Sequence, residues 1–133
     1  MSQAQQRHHI LCINNSKEVL ELFRELLEEE GYRVTTQSYV DKDLDAISAL
    51  KPDLIVLDYM WDHEDSGWAL LQMIKMSPQT ENIPIVLCTG AVRQVNELEA
   101  HLLDMQVVVV FKPFKLDHLV QTIRSRLNVA PES

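Results

Sequence analysis

The sequence predicts an α/β fold in which a parallel five-stranded sheet is covered by helices on both faces. Short runs of branched apolar residues alternate five times with stretches of helical spacing along the 133 residues, and this strict alternation implies right-handed crossovers between parallel strands. The runs 54–57, 85–87 and 107–110 are apolar without interruption, which is typical of central strands. The five predicted strands span 9–13, 32–36, 53–57, 84–88 and 107–111.

The first predicted helix has the clearest pattern of the five. Its apolar positions recur at steps that place them on one helical face. Gly31 follows this stripe and suits the position just past a helix end, where a left-handed conformation is common. The residues of the stripe are Val19, Leu20, Phe23, Leu26 and Leu27.

The other four helices are predicted from weaker signals. The second covers 41–50 and stops at Lys51 and Pro52, because the residue before a proline is pushed out of the helical region. The third starts near Ser66, a suitable N-cap, and ends before Pro78. Apolar positions at steps of three and four mark the fourth helix at Val95, Leu98, Leu102 and Met105, and the fifth at Leu116, Leu119, Val120, Ile123 and Leu127.

Length and composition indicate one domain. At 15.3 kDa the chain is too short for two cores of ordinary size. We expect a flexible N-terminus at 1–8, a folded domain at 9–127 and a C-terminal tail at 128–133. No apolar run approaches the roughly 20 residues of a membrane span, and the polar start lacks the order of a signal peptide. The expected location is therefore cytoplasmic.

The charge and the scarce thiols exclude several function classes. A net charge of −8 and a pI near 5.0 oppose direct binding to nucleic acid or anionic membranes. Cys12 and Cys88 lie in apolar runs, where a thiol acts as a small hydrophobe. His8, His9, His101 and His118 share no spacing typical of a metal site and are expected at the surface.

Polar residues stand where four of the predicted strands end. In an open parallel sheet, ligands bind beyond the carboxyl ends of the strands, so these residues are the candidate site. The first strand ends in Asn14 and Asn15, the third in Asp58, the fourth in Thr89 and Gly90, and the fifth in Lys112 and Pro113.

The order and spacing of these strand ends resemble the receiver domain of response regulators, from about Ile10 to Leu127. The resemblance rests on the local sequences ILCINN, DLIVLDYM, IVLCTGA and VVVVFKPF. It implies a flavodoxin-like fold with sheet order 2-1-3-4-5 and a role in two-component phosphorelay signalling. It also implies a cis bond between Lys112 and Pro113. The family ends its first strand with a pair of acids, whereas this chain has Asn14 and Asn15.

The resemblance assigns a role to each matching residue. Asp58 is the phosphoacceptor, and its carboxylate is the nucleophile. Lys112 provides a compact positive charge for the phosphoryl oxygens, and the Thr89 hydroxyl donates a hydrogen bond to one of them. No enzyme activity is expected beyond weak self-phosphorylation and self-dephosphorylation.

A magnesium ion is the implied cofactor, and we expect weak or absent binding. By resemblance, the ligands would be the side chains of Asn14, Asn15 and Asp58 and the backbone carbonyl of Met60. Mg²⁺ is usually held by one or two carboxylates with phosphate oxygens and water. The two asparagines keep carbonyl oxygens but remove two negative charges. Slow or absent phosphorylation of Asp58 is the expected consequence.

The implied partners are a histidine kinase or phosphotransfer protein as donor, and a downstream protein bound by the fourth helix, fifth strand and fifth helix. A homodimer is also compatible with the resemblance. Receivers often have an aromatic residue three positions before the lysine, and rotation of that ring accompanies activation. Val109 occupies this position and has no ring to reorient.

Three other functions remain as alternatives. A pseudo-receiver would use the same surface as a protein-binding module without phosphorylation. A phosphatase of the haloacid dehalogenase type expects a second Asp two residues after the nucleophile, where Met60 stands. A flavin carrier expects Ser, Thr and Gly in the first turn, which reads Asn14-Asn15-Ser16-Lys17. The segment 61–65 is interpreted as a solvated acidic loop, with a displaced metal ligand as the less favoured reading.

Overall fold

The computed structural model describes residues 7–14, 16–38, 43–59, 66–89, 99–113 and 115–127. Five strands form one sheet, and all neighbouring strands in it run parallel. The elements in chain order are β1 (His9–Ile13), α1 (Lys17–Glu29), β2 (Arg33–Gln37), α2 (Leu44–Leu50), β3 (Leu54–Tyr59), α3 (Ser66–Met76), β4 (Ile85–Thr89), α4 (Glu99–Asp104), β5 (Val107–Phe111) and α5 (Leu116–Leu127). The strand order β2-β1-β3-β4-β5 confirms the predicted fold class.

Two hydrophobic clusters cover the two faces of the sheet, which gives the molecule three layers. The cluster under α1 and α5 includes Phe23, Leu27 and Ile123, and the cluster under α2, α3 and α4 includes Ile74 and Leu102. Adjacent residues of a strand point to opposite faces, so β1, β3 and β4 contribute side chains to both clusters. This is why the central strands read as continuous apolar runs.

The apolar run 107–110 is typical of a central strand, but β5 lies at an edge of the sheet, in agreement with the order 2-1-3-4-5 that the family resemblance implies. Val108 and Val109 are only partly buried, whereas every residue of β1 and β4 is buried. β2 forms the other edge and is partly or fully exposed along its whole length. An edge strand has a neighbour on one side only, and the local sequence of β5 does not reveal this.

Three strand boundaries differ from the prediction by one or two residues. β3 extends through Asp58 and Tyr59, because these residues pair with Cys88 and Thr89 of β4. β2 and β4 each lie one residue later than predicted. Hydrogen bonding to the neighbouring strand sets the ends of these strands, so the apolar runs alone do not locate them.

The helix ends follow local signals. Gly31 has φ of 97°, and its N–H and that of Tyr32 donate to the carbonyls of Glu28 and Leu27 at 3.0 and 3.2 Å. This pair of bonds is a Schellman motif and confirms the predicted end of α1. α2 stops at Lys51 as predicted, although Lys51 takes a left-handed conformation with φ of 51°.

The start of α2 differs from the prediction. Asp43 is the N-cap of α2 and not a helical residue, since its side chain accepts from the N–H groups of Asp45 and Ala46. Residues 41 and 42, and residues 95–98 of the predicted fourth helix, lie outside the described residues. Within the part of the chain that the structure describes, every helix is too short or too polar to cross a lipid bilayer.

Candidate functional site

Four predicted site residues lie at the carboxyl edge of four adjacent strands. Asp58 pairs with Cys88, one residue before Thr89 ends β4. Asn14 comes one residue after the last residue of β1, and Lys112 comes one residue after β5. Neighbouring parallel strands lie about 4.8 Å apart, so the backbones of these residues converge on one edge. Asn15, Met60, Gly90 and the segment 61–65 lie outside the described residues.

A backbone hydrogen bond holds Lys112 beside Thr89. The Lys112 N–H donates to the Thr89 carbonyl at 2.8 Å, which ties the exit of β5 to the end of β4. Thr89 is fully buried and Lys112 is partly buried. The bond between Lys112 and Pro113 is cis, as predicted. A hydroxyl and a cationic side chain thus belong to adjacent strand ends.

Asn14 has a structural role that the sequence did not suggest. It is buried, with 4% of its surface exposed, and its Oδ1 accepts a hydrogen bond from the Ser16 N–H at 2.8 Å. Ser16 in turn is the N-cap of α1, and its hydroxyl accepts from the Val19 N–H at 3.2 Å. The Asn14 N–H donates to the Gln37 carbonyl at 3.1 Å.

This Asx turn connects the end of β1 to the start of α1. An Asn two residues before a Ser N-cap is the sequence signal that could have revealed it. The Ser16 N–H needs a side-chain oxygen as acceptor, and an aspartate at position 14 would also offer one. An asparagine at this position therefore provides this acceptor without a negative charge.

The donor set at this edge suits Mg²⁺ in atom type but has reduced charge. Asp58 is a carboxylate residue, and Asn14 offers a neutral amide oxygen that already accepts the Ser16 N–H. Among the side chains that the structure describes, no three of His, Cys, Asp and Glu converge in the manner of a metal cluster. An ion here would depend on Asp58, on amide and carbonyl oxygens, and on phosphate.

His9 lies at the amino-terminal end of β1, far from the carboxyl ends of the strands. The prediction that it lies on the surface was wrong. Only 5% of it is exposed, and its Nδ1 lies 2.9 Å from the Leu50 carbonyl oxygen. Its Nε2 lies 2.7 Å from the Thr35 hydroxyl, and its backbone N–H donates to Asp53 Oδ2 at 2.7 Å. The ring therefore joins β1, β2 and the end of α2.

The other three histidines were also predicted to lie on the surface, and two of them can be compared with the structure. His118 is exposed and His8 is partly exposed, with 43% of its side chain accessible. The side chain of His101 lies outside what the structure describes. Of the three predicted surface histidines whose side chains the structure describes, His9 is the one that its neighbours enclose.

The two cysteines are buried and are not joined in a disulfide, as expected for hydrophobic packing. Cys12 and Cys88 belong to the same cluster under α1 and α5. Burial raises the pKa of the Cys12 thiol to about 12, although the positive charge of Arg24 opposes the shift. The thiol is therefore protonated at neutral pH and behaves as an apolar side chain.

Comparison with known proteins agrees with this geometry. The family model of the response regulator receiver domain matches residues 10–124. The chain is 29% identical over 130 residues to the nitrogen assimilation regulatory protein NtrX of Azorhizobium caulinodans, covering 92% of this chain and 28% of that protein. It is 27% identical over 121 residues to the phosphate regulon transcriptional regulatory protein PhoB of Rhizobium meliloti, covering 91% of this chain and 52% of that protein. The chain thus spans about half or less of the length of these curated relatives.

A solved structure gives the same result. The N-terminal domain of a response regulator receiver protein from Methanoculleus marisnigri JR1 superposes with a TM-score of 0.64 and 29% sequence identity, covering 92% of this chain and 98% of that one. The sheet order, the strand-end residues and a family match over most of the length lead to one conclusion. The chain belongs to the response regulator receiver domain family, the signalling modules of two-component systems.

Proposed function

We propose that this receiver domain accepts a phosphoryl group on Asp58 from a histidine kinase or a phosphotransfer protein. The supporting observation is the placement of Asp58, Thr89 and Lys112 at the carboxyl edge of three adjacent strands. Receiver domains interact with such donors as a family. The residue roles given below are part of the proposal.

In the proposed reaction, a carboxylate oxygen of Asp58 attacks the phosphorus of a phosphohistidine. A new O–P bond forms as the N–P bond breaks, and the electron pair returns to the imidazole. The Lys112 ammonium offsets negative charge on the phosphoryl oxygens, and the Thr89 hydroxyl donates a hydrogen bond to one of them. Because Thr89 is fully buried, this bond would form away from bulk water, where it is stronger.

Receiver domains generally bind Mg²⁺ at an acidic pocket, and we propose that this chain binds it weakly. Asp58, Asn14, Asn15 and the Met60 carbonyl would hold the ion, which supplies further charge neutralisation when bound. Two neutral amides replace two carboxylates, and the Asn14 oxygen already accepts a hydrogen bond. Phosphorylation should therefore require more Mg²⁺ than in a receiver with both acids.

The output surface proposed for a downstream protein consists of α4, β5 and α5. Leu103 of α4 supports this assignment, since 56% of this large apolar side chain is exposed. A second copy of the chain could bind the same surface as a homodimer. We propose that residues 9–127 form the folded domain that makes both interactions.

Phosphotransfer from a radiolabelled phosphohistidine protein tests the role of Asp58. We expect slow labelling of the wild type and none of Asp58→Asn. The double variant Asn14→Asp/Asn15→Asp should label about tenfold faster at 1 mM Mg²⁺, because it restores the anionic ligands. The matched control Gln121→Glu/Ser125→Asp adds the same charge on the exposed face of α5 and should behave as the wild type.

Two results would contradict the proposal. Persistent labelling of Asp58→Asn would show that another residue is the acceptor. Absence of label in both the wild type and the double variant at 20 mM Mg²⁺, with a working donor, would leave the chain as a binding module that acts without phosphorylation.

A further inference from the structure

Lys75 lies at the edge of the sheet opposite to the phosphoacceptor position. It is in the last turn of α3, and its Nζ donates to the backbone carbonyls of Glu81 at 3.0 Å and Ile83 at 2.6 Å. Both carbonyls belong to the loop that leads into β4. The amine is therefore held at one point by two acceptors.

The same amine borders a cavity of about 200 Å³. The cavity lies beneath the start of β5, where Gln106 takes a left-handed conformation with φ of 67°. Its walls are formed by Lys75, Glu81, Asn82, Asp104, Met105 and Gln106. A small molecule that enters this space lies against Lys75.

The surroundings of Lys75 increase the fraction of its neutral form. Burial is the main reason that the pKa of its ammonium group is lowered to about 8; the Glu81 carboxylate opposes this shift, and the positive charge of Arg126 adds to it. A neutral amine keeps two N–H groups, the number needed for the two carbonyl acceptors. Its lone pair then points away from both carbonyls and is free to act as a nucleophile.

We propose that Lys75 is a site of covalent acylation by small thioesters. The Lys75 nitrogen attacks the acyl carbon, the C–N bond forms as the C–S bond breaks, and the thiolate leaves and takes up the proton lost from nitrogen. The product is a neutral amide, which the carboxylates of Glu81 and Asp104 do not oppose. Those carboxylates disfavour anionic products such as a carbamate, and this selects uncharged acyl groups.

Acylation also has a structural consequence. An amide nitrogen retains one N–H, so the carbonyls of Glu81 and Ile83 can no longer both be satisfied by Lys75. The loop before β4 loses one of its two bonds to α3. The modification should therefore lower the thermal stability of the domain.

Treatment of the purified chain with limiting S-acetyl-N-acetylcysteamine at pH 7.5, followed by peptide mass spectrometry, tests the site. The exposed Lys115 is the internal control. We expect acetylation of Lys75 to be roughly tenfold faster, because the larger neutral fraction outweighs the lower basicity of the amine. Equal or slower modification of Lys75 would overturn the proposal.

Two variants with opposite effects sharpen this test. Glu81→Gln removes the charge that raises the pKa of Lys75 and should increase its rate of acetylation, whereas Arg126→Gln should decrease it. Rates that move in the same direction in both variants would also overturn the proposal.

A thermal readout tests the consequence separately. Exhaustive acetylation should lower the Tm of the wild type by roughly 2–5 °C more than that of Lys75→Arg, which keeps donors but offers no amine. An equal decrease in the two proteins would contradict the structural role.

Discussion

At the amino end of β1, the His9 ring fills the space between β2 and the end of α2. Its Nδ1 faces a carbonyl, which can only accept, so Nδ1 is the donor in that hydrogen bond, and Nε2 bonds to the Thr35 hydroxyl, which can donate or accept. A buried polar ring is tolerated because both nitrogens have partners. Nothing in the local sequence distinguishes His9 from its exposed neighbour His8.

Replacing His9 with Ala should destabilise the domain by about 2–3 kcal/mol, since a buried ring is lost and the Leu50 carbonyl and Thr35 hydroxyl lose a partner. Urea denaturation measures the difference in the free energy of unfolding. The control is His118→Ala on the exposed side of α5, for which we expect a change within about 0.5 kcal/mol. Equal effects of the two substitutions would show that the His9 contacts contribute nothing.

Asn14 combines a structural and a functional role in one side chain. Its oxygen stabilises the entry to α1 by accepting from Ser16, and the same side chain stands at the proposed magnesium site. The sequence predicted the second role through the family resemblance and missed the first. Both follow from its place immediately after a buried strand, where the chain turns into a helix.

Among the elements, α1 was predicted most completely. Its apolar stripe and its Gly31 end were both predicted from about fifteen consecutive residues, as expected for a structure with local hydrogen bonds. The ends of β2, β3 and β4 were displaced by one or two residues, because their bonds are made to strands distant in sequence. The ends of an element can thus be predicted from a short stretch of sequence when its hydrogen bonds lie within that stretch.

The end of α1 allows a test of backbone conformation alone. A Cβ added at Gly31 would meet no atom within 4 Å, so Gly31→Ala introduces no clash. Its cost comes from φ of 97°, which is strained for Ala, and we expect about 1 kcal/mol. Gly31→Asn should cost less, because Asn tolerates left-handed conformations better. Thermal unfolding of both variants provides the comparison, and an Asn variant less stable than the Ala variant would contradict this explanation.

At the scale of the whole molecule, the sheet lies between two hydrophobic clusters, and β1, β3 and β4 contribute side chains to both of them. Within the helical layer formed by α1 and α5, Arg124 of α5 forms an ion pair with Glu30 at the end of α1. The loop before β4 is attached to α3 by Lys75. The stability of the whole domain should therefore respond to the protonation of Lys75.

Raising the pH from 7 to 10 should stabilise the wild type relative to Lys75→Arg. The pKa of Lys75 is about 8 in the folded chain and 10.5 without the fold, so between these values the unfolded state binds more protons. The free energy of unfolding therefore rises with pH, whereas an arginine stays charged throughout. Because Lys75 is only partly buried, we expect a relative gain of about 1 kcal/mol. Urea denaturation of both proteins at several pH values measures it, and a constant difference would exclude the lowered pKa.

The fold class, the order of the elements and the identity of the strand-end residues could all be predicted from the amino-acid sequence. These depend on periodicity and on the spacing of a few polar residues, which are properties of consecutive positions. Only the three-dimensional structure shows that His9 is buried, that the Asn14 side chain accepts from Ser16, and that Lys75 borders a cavity. Each of these depends on contacts between segments far apart in the chain, and no local pattern encodes the distance between such segments.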